Sequence, residues 1–344
     1  MNKNIEKFNS RLPLFMIGVV ILLGVLGYVY LLIKENKVVQ FSSTIHDESY
    51  DTSILSGERM MTEKLALPKI VTVMVDNHPD AWPLSGLDQA KIVYEAPVEG
   101  MYTRFLAVFA DYQIVAKVGP VRSARPYYLD WLGEYGDSLY MHCGGSPEAL
   151  TRIKEEKVFD ANEFYWGRFY WRDQARFAPH NLYTNSEKWN ALLNEYGAKH
   201  ANTTWQGWKF GELDQNVFNE TVTALQLDYN YYGKINWVYD AGLGKYTRNR
   251  GSYNEFSDPV FADNVIIQYV KMRSIDNKDR KEIITVGSGE ARVLRDGRMV
   301  RANWEKKSGE RTRFYTKENK EILLRPGVTW VEILPNDLSV VITN

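Results

Sequence analysis

The chain has 344 residues and a net charge of −1, from 42 basic and 43 acidic side chains. This balance argues against a protein that binds nucleic acid by neutralising phosphates, so we expect no nucleic-acid partner. The single cysteine, Cys143, excludes an intrachain disulfide, and stability must come from packing. With 22 Tyr, 14 Phe and 10 Trp residues, the chain can bury a large core.

An uncharged apolar segment, Leu12–Ile33, lies near the N-terminus after a short tail, residues 1–11. A helix of this length spans roughly 33 Å, which is enough for a bilayer core of about 30 Å. The alternative is a cleaved secretory signal, but signal peptides have apolar regions of about 7–15 residues and a small-residue cleavage site. The segment therefore predicts a single transmembrane helix, retained as a signal anchor.

Basic residues on the two flanks indicate the orientation of this helix. Three precede it, at positions 3, 7 and 11, and two follow it, at positions 34 and 37. Because basic residues concentrate on the cytoplasmic side, we expect the short tail inside and the bulk of the chain outside the cell membrane. The polar residues 34–63 have no sustained periodicity and are predicted to form a flexible stalk.

The first half of the remaining chain, residues 64–205, alternates strand and helix patterns. Buried or alternating apolar runs predict strands at Ile70–Asp76, 91–95, Thr103–Ala110 and 138–142. Proline and serine start signals predict helices from Pro126 to Tyr135, from Pro147 to Glu156 and from Ser186 to Tyr196. This alternation predicts an α+β N-terminal domain.

Residues 206–224 are predicted to be a linker or an irregular segment. Strand patterns predominate after it. Extended runs lie at Ile235–Asp240, 265–272, 290–294, 298–304, 311–315 and 328–334. Asp296 and Gly297 form a strong hairpin signal, because such a turn requires positive φ. Residues 225–344 are therefore predicted to form a mostly antiparallel β domain, and the fold class is α+β.

Arginines precede the first predicted helix, in a segment that contains Arg122, Ser123 and Arg125. Guanidinium groups beside a helix start are well suited to an anion. The structural alternative is that the two arginines pair with nearby carboxylates. Those carboxylates are Asp76, Glu95 and Glu99.

A glycine turn follows the strand that ends at His142, and Gly145 and Ser146 could donate hydrogen bonds to an anion there. Cys143 could act as a nucleophile with His180 as its base and Asn181 orienting a substrate. The alternative is that Cys143 is a small buried residue. His78, His142 and His180, with Asp76 and Glu99, have no metal-ligand spacing, so no metal site and no cofactor are predicted.

An aromatic segment, Phe164–Asp173, carries Arg168 and Arg172 and is followed by Arg176 and Phe177. Aromatic faces interleaved with arginines can stack on a sugar. The structural alternative is core and cation–π packing.

Several passages together resemble the YerB-like envelope proteins of Gram-positive bacteria, a family known as domains of unknown function. They are Val75–Pro79 with Pro83–Leu87, Val93–Glu95, Glu99–Gly100, Thr103–Phe105, Gly119–Pro126, His142, Gly144–Pro147, Pro179–Asn181, Trp237–Asp240, Asn264–Ile266, Gly287–Gly289 and Gly327–Trp330. The resemblance implies an α+β and a β-rich domain on the outer membrane face, and it supplies no catalytic residues. Many such proteins resemble lipoproteins, with a cysteine just after the apolar segment, whereas no cysteine lies near Ile33 here, so a retained helix is expected as the anchor.

We therefore expect a membrane-anchored, extracytoplasmic binding or scaffolding module that recognises an anionic cell-wall polymer or an envelope protein. The candidate ligand-binding residues are Asp76, His78, Glu95, Glu99, Arg104, Arg122, Ser123, Arg125, His142, Gly145, Ser146, Arg172, His180 and Asn181. The alternative is an envelope hydrolase or transferase acting on glycan or peptide. Its acid–base groups would be Glu95, Glu99, His142 and His180.

Overall fold

The structure, a computed structural model, describes residues 24, 50–61, 67–100, 102–200, 204–229 and 233–344. The chain divides into two units, Met1–Ser49 and Tyr50–Asn344. Gly24 is the one described residue of the first unit and is helical, so the predicted membrane segment otherwise lies outside the described residues. Within the described residues, no helix has both the length and the apolar character needed to cross a membrane.

The second unit is built mainly of strands. In chain order these are β1 (Tyr50–Thr52), β2 (Arg59–Met61), β3 (Ile70–Asp76), β4 (Ile92–Pro97), β5 (Thr103–Ala110), β6 (Leu139–His142), β7 (Phe159–Asn162), β8 (Trp171–Arg172), β9 (Leu182–Tyr183), β10 (Glu220–Thr221), β11 (Ala224–Leu227), β12 (Ile235–Asp240), β13 (Lys245–Asn249), β14 (Phe261–Ala262), β15 (Asn264–Val270), β16 (Met272–Ser274), β17 (Lys281–Ile283), β18 (Gly287–Arg295), β19 (Arg298–Lys306), β20 (Arg313–Tyr315), β21 (Thr329–Pro335) and β22 (Val340–Thr343). The α-helices are α1 (Pro126–Leu132), α2 (Pro147–Glu155), α3 (Glu163–Trp166) and α4 (Ser186–Tyr196).

A large mixed sheet forms the centre of this unit, in the order β10-β19-β18-β15-β21-β4-β5-β3-β6-β7, with β20 paired to β19. The β3 run is buried at every position, as its uninterrupted apolar sequence predicts. β3, β6 and β7 are parallel, so their carboxyl ends meet at one edge of the sheet. This edge carries the candidate site.

Both halves of the sequence contribute to this one sheet. β21 lies between β15 and β4 and is parallel to both, with Trp330 opposite Val93. The predicted linker 206–224 is also packed structure: Trp208 is buried and its Nε1 donates to the Thr312 carbonyl at 2.8 Å. The segment is therefore irregular, as the sequence indicated, but it is packed against the second half and is not a free connection.

The predicted stalk, residues 34–63, is wrong in its last part. β1 and β2 pair as antiparallel strands, and Leu55 between them is only 1% exposed. Gly327 N donates to the Ser56 carbonyl at 2.8 Å, and Lys91 Nζ lies 2.6 Å from Glu58. The folded unit thus includes Tyr50, because hydrogen bonds satisfy the polar groups that made this stretch look like a stalk.

Layers cover both faces of the large sheet. On one face lie α4 and a five-stranded antiparallel sheet in the order β14-β13-β12-β11-β22, with Trp237 packed edge-on against Trp330 at 5.3 Å. On the other face lie α1 and α2, with Trp131 stacked on Tyr94 at 5.5 Å. The α-helices of the described unit precede Gly197, and strands follow Glu220, which agrees with the predicted division of helix and strand.

The predicted hairpin at Asp296 and Gly297 is confirmed, with φ values of 52° and 69° between β18 and β19. A Cβ on Gly297 would lie 2.8 Å from the Tyr239 ring. We expect Gly297→Ala to lower the free energy of unfolding by at least about 1–2 kcal/mol, since the left-handed conformation disfavours a side chain. Urea unfolding would measure this.

The matched control is Gly133→Ala at the end of α1. Gly133 has φ −61° and open space around its Cβ position. This variant should unfold within about 0.5 kcal/mol of the wild type. Equal losses at the two glycines would contradict the proposed role of the turn.

Candidate functional site

The candidate site lies where β3 and β6 end. The segment that follows Gly119 runs across these strand ends: Asp76 N donates to the Pro120 carbonyl at 2.9 Å, and Cys143 N donates to the Arg122 carbonyl at 3.0 Å. Arg122 is thereby fixed between the two strands. The carboxyl ends of parallel strands form a crevice that commonly holds ligands.

Asp76 is the centre of the site and is 3% exposed. Its Oδ2 lies 2.7 Å from His180 Nδ1 and 2.9 Å from Arg122 Nε. Burial alone would raise the pKa of Asp76, but the His180 hydrogen bond and the charges of Arg122 and Arg104 outweigh it and hold this pKa below its ordinary value. Asp76 therefore stays ionised and orients both partners.

His78 stacks on His180, with ring centroids 4.9 Å apart and planes 23° apart. His78 Nδ1 accepts a hydrogen bond from Asp80 N at 3.2 Å and lies 3.6 Å from Asp80 Oδ2. Burial and the positive charges of His180 and Arg122 lower the pKa of His78, and the carboxylates of Asp80 and Asp76 oppose this only in part. The ring is therefore neutral at physiological pH.

A second arginine group lies beside this one. Arg125 grips Glu99 with Nε and Nη2, at 2.5 and 2.6 Å, and Arg104 Nη1 donates to the Ser123 carbonyl at 2.9 Å. Burial would raise the pKa of Glu99, but the Arg125 hydrogen bonds and the charges of Arg125 and Arg104 lower it overall. Arg125 is therefore paired with a carboxylate, as the structural alternative predicted. It is not available as the predicted ligand for an anion.

Two predicted residues belong to the interior. His142 is fully buried, with Nδ1 2.7 Å from the Gly144 carbonyl and Nε2 2.7 Å from Asp160 Oδ1. Glu95 is also fully buried and lies 2.6 Å from Arg248 Nη2. Because both side chains are fully occupied by protein groups, their assignment to a ligand pocket is wrong.

Two N–H groups of the glycine turn after β6 already have acceptors within the protein. Gly144 N donates to Asn162 Oδ1 at 2.9 Å, and Ser146 N donates to the Ala124 carbonyl at 3.2 Å. The Ser146 hydroxyl caps α2 by accepting from Ala149 N at 3.3 Å. The Ser146 groups are therefore used within the protein, which corrects their predicted role as donors to an anion, whereas the predicted role of Gly145 stays a prediction.

Cys143 contacts Glu163 and does not hydrogen-bond to His180. Its Sγ lies 3.6 Å from Glu163 Oε2. Burial and the Glu163 charge raise the pKa of Cys143, which keeps the thiol protonated. The proposed nucleophile–base pair is absent from the described site.

Arg172 and Asn181 brace the loop that carries His180. Arg172 Nη2 lies 3.1 Å from Glu163 and Nη1 donates to Asn181 Oδ1 at 2.9 Å. Asn181 is 7% exposed, so it supports the loop and does not reach a substrate.

Exposed aromatic rings lie on the loops near the strand ends. Phe164 is 70% exposed, Tyr165 81% and Phe177 91%. The Phe164 ring lies 3.0 Å from the position of a Cβ on Gly144, so it covers the glycine turn. Phe169 and Tyr170 are buried, and the predicted aromatic segment therefore divides between core and surface.

Asp80 also belongs to the site and was not predicted, although it lies only two positions after His78. A buried ionic group was also not predicted: Arg248 and Arg250 pair with Glu95. Glu255 and Glu332 pair with the same arginines. No sequence signal joins these residues, because Arg248 and Glu95 are 153 positions apart.

Comparison with known proteins identifies the family. Residues 55–200 match the model "Protein of unknown function (DUF3048) N-terminal domain", and residues 225–331 match the corresponding C-terminal domain. This chain belongs to the YerB-like DUF3048 family. The N-terminal DUF3048 domain contains Asp76, His78, Arg122 and His180, so the candidate site lies within it.

Two relatives extend over most of the chain. The protein named "Putative lipoprotein YerB" from Bacillus subtilis (strain 168) is 31% identical over 290 residues, covering 82% of this chain and 85% of the relative. The crystal structure of YerB from Bacillus subtilis superposes with a TM-score of 0.75 at 28% identity, covering 85% of this chain and 99% of that chain. The DUF3048 resemblance expected from the sequence is thus confirmed.

Proposed function

We propose that this protein is a membrane-anchored, extracytoplasmic binding module of the bacterial envelope, and that it holds an anionic ligand at Arg122. The observation that carries the proposal is that, among the described residues, the ion pair of Arg122 uses only Nε and leaves its two terminal nitrogens without a partner. Arg122 Nε lies against Asp76, but the Arg122 side chain forms no hydrogen bond with the residues that the structure describes. Its side chain is 22% exposed, so the terminal nitrogens can reach a ligand.

Charge around the site favours an anion. Arg104, Arg122 and Arg125 outnumber the two carboxylates that they contact, Asp76 and Glu99, and Asp80 lies on the far side of the site, beside His78. The planar guanidinium presents paired donors that fit a carboxylate or a phosphate. His180, held by Asp76, offers its second nitrogen at the same place.

Two observations support a location at the membrane. The apolar segment Leu12–Ile33 is long enough to span a bilayer. A relative with 31% identity carries the name of a lipoprotein, which would be held at a membrane by a lipid. We propose that a single retained helix serves the same purpose here, with the DUF3048 domains outside.

The alternative of a hydrolase or transferase is supported less well. Of its proposed acid–base groups, Glu95 is paired with Arg248, Glu99 with Arg125, and His142 with Asp160. Only His180 retains a nitrogen without a hydrogen-bond partner among the described residues.

Calorimetric titration of the detergent-solubilised full chain would test the anion site. The probes are a phosphate-bearing wall polymer and a carboxylate-bearing one, each measured at two salt concentrations. We expect Arg122→Ala to weaken binding about 10-fold or more, since a charge-assisted hydrogen bond contributes about 1.5–3 kcal/mol.

The matched control is Arg168→Ala, which removes an exposed arginine paired with Glu195. This variant should bind as the wild type does. If Arg122→Ala retained the affinity of the wild type for both polymers, the anion site would be disproved.

A further inference from the structure

A group of metal-ligating side chains lies beside the anion site. His78, Asp80 and His180 each offer one ligand atom, and these atoms all lie within 4.8 Å of one another. We infer that His78, Asp80 and His180 bind a divalent transition-metal ion of the zinc type. The metal ligands do not include Arg122, and the two proposed sites share only His180.

The distances between the three ligand atoms fit a metal ion once the side chains move slightly closer together. Metal bonds of about 2.0–2.1 Å to nitrogen and oxygen place tetrahedral ligand atoms roughly 3.3 Å apart. His78 Nδ1 and Asp80 Oδ2 are already 3.6 Å apart. The Asp80 side chain is 74% exposed, so it can move to complete the set without disturbing the core.

His180 is held as a metal-ligating histidine is usually held. Its Nδ1 lies 2.7 Å from the buried Asp76 carboxylate, and in the neutral tautomer that donates to Asp76 the ligating lone pair is on Nε2, directed away from Asp76. Such a carboxylate–histidine pair orients the ring and makes the second nitrogen a better ligand. Asp76 is thus a positioning residue for the ion.

His78 also has a nitrogen in the ligating form. Nδ1 accepts a hydrogen bond from Asp80 N at 3.2 Å, so this atom carries a lone pair and no proton. A metal ion would replace this long hydrogen bond. The stacking of His78 on His180 keeps both rings on the same side of the site.

The donor set selects the class of ion. Two imidazoles and one carboxylate favour zinc and its first-row neighbours over calcium and magnesium, which prefer all-oxygen sites. Three protein ligands leave one position open for water or an anion, as in zinc sites that act on a ligand. The positive charge of Arg122 opposes the ion, but the adjacent Asp76 carboxylate largely compensates it.

Metal titration of the tag-free, metal-stripped full chain would test this inference. Zinc is measured by competition with a chromophoric chelator, and cobalt is measured by its visible absorption. All variants carry His46→Gln, because His46 lies outside the described residues. We expect one equivalent of zinc, and at least 10-fold weaker binding for His78→Gln, His180→Gln and Asp80→Asn. Asp76→Asn should weaken binding by about 10–100-fold, as loss of a carboxylate behind a ligand does.

Two controls separate this site from other metal binders. His200→Gln removes a histidine that is hydrogen-bonded to Asp137 at 2.8 Å, and it should bind zinc as the wild type does. Cys143→Ser tests the thiol and should also have no effect. Asp80→Asn changes an exposed side chain, so the protein should stay folded and the loss of zinc affinity can be assigned to the missing ligand.

The outcomes distinguish this inference from the proposed function. Arg122→Ala should lose the anion but retain zinc, and anion titration in the presence of a chelator measures the anion site alone. Unchanged zinc affinity in both Asp80→Asn and His180→Gln would overturn the metal site and leave the anion site standing. Loss of zinc binding in Cys143→Ser would also overturn the proposed metal site, because the thiol would then be a ligand of the ion.

Discussion

Replacing Arg248 with methionine is expected to lower the free energy of unfolding by about 3–5 kcal/mol, because it leaves buried carboxylates without their partner. Arg248 is fully buried in its side chain. It lies 2.6 Å from Glu95 and hydrogen-bonds to Glu255. Glu95 belongs to β4 and Arg248 to β13, so this arginine also ties the five-stranded sheet to the large sheet.

Aromatic rings enclose the Arg248 guanidinium and exclude water from it. Its central carbon lies 5.1 Å from the Phe256 ring, 5.3 Å from Trp330 and 5.6 Å from Phe105. Methionine fills much of the same volume, so the main loss is electrostatic. Equilibrium urea unfolding would measure the change.

Arg273→Met is the matched control. Arg273 forms an ion pair with Glu282, but its side chain is 72% exposed. This variant should lose no more than about 1 kcal/mol. Adding Glu95→Gln and Glu255→Gln to Arg248→Met should restore part of the lost stability, because the unpaired carboxylates are then neutral. If these additions destabilise the chain further, the loss in Arg248→Met does not come from unpaired buried carboxylates.

Replacing Glu332 with glutamine is expected to stabilise the protein, and increasingly so as pH rises. The buried group contains the carboxylates of Glu95, Glu255 and Glu332, but only the guanidinium groups of Arg248 and Arg250. Burial and repulsion from Glu95 raise the pKa of Glu332 from 4.5 to about 8. One glutamate of this group is therefore protonated in the folded protein at neutral pH.

The sign of the pH dependence follows from linkage. Between pH 4.5 and about 8, the folded chain retains a proton on Glu332 that the unfolded chain has lost, so stability falls as pH rises through this window. The difference between the folded and unfolded pKa values of Glu332 corresponds to a loss of roughly 5 kcal/mol of stability at most. Glutamine has no such proton, and its side-chain oxygen can still accept from Trp237 Nε1, as Glu332 Oε1 does at 2.7 Å.

Thermal or urea unfolding from pH 4.5 to pH 8.5 would measure the gap between Glu332→Gln and the wild type. We expect a small gap at the acid end and a gap of several kcal/mol at the alkaline end. Glu305→Gln, at an exposed position on β19, should show no comparable trend. A constant or shrinking gap for Glu332→Gln would contradict the assignment.

Local sequence patterns predicted many elements of the fold. Ile70–Asp76, Thr103–Ala110 and Ile235–Asp240 are strands with the predicted bounds, because uninterrupted or alternating runs rich in β-branched and aromatic residues favour extended backbone. Asp296 and Gly297 predicted their hairpin because positive φ is a local requirement. The transmembrane helix at Leu12–Ile33 stays a prediction.

The candidate site was predicted only in part. Asp76, His78, Arg122 and His180 were identified by residue type and do lie together, although Asp76 and His180 are 104 positions apart. His142 and Glu95 were grouped with them, yet the His142 side chain is hydrogen-bonded to Asp160 and the Glu95 side chain to Arg248. A sequence shows which groups can ionise or ligate, but not which partners they meet.

Many local elements, the family and the types of residue that could bind an anion were predictable from the chain alone. The three-dimensional arrangement was needed to show that the two halves share one sheet, that Arg125 is matched by Glu99, and that the terminal nitrogens of Arg122 have no partner among the described residues. The difference lies in the range of the interactions. Backbone preference acts over a few neighbouring residues, whereas burial and ion pairing depend on side chains brought together from distant parts of the chain.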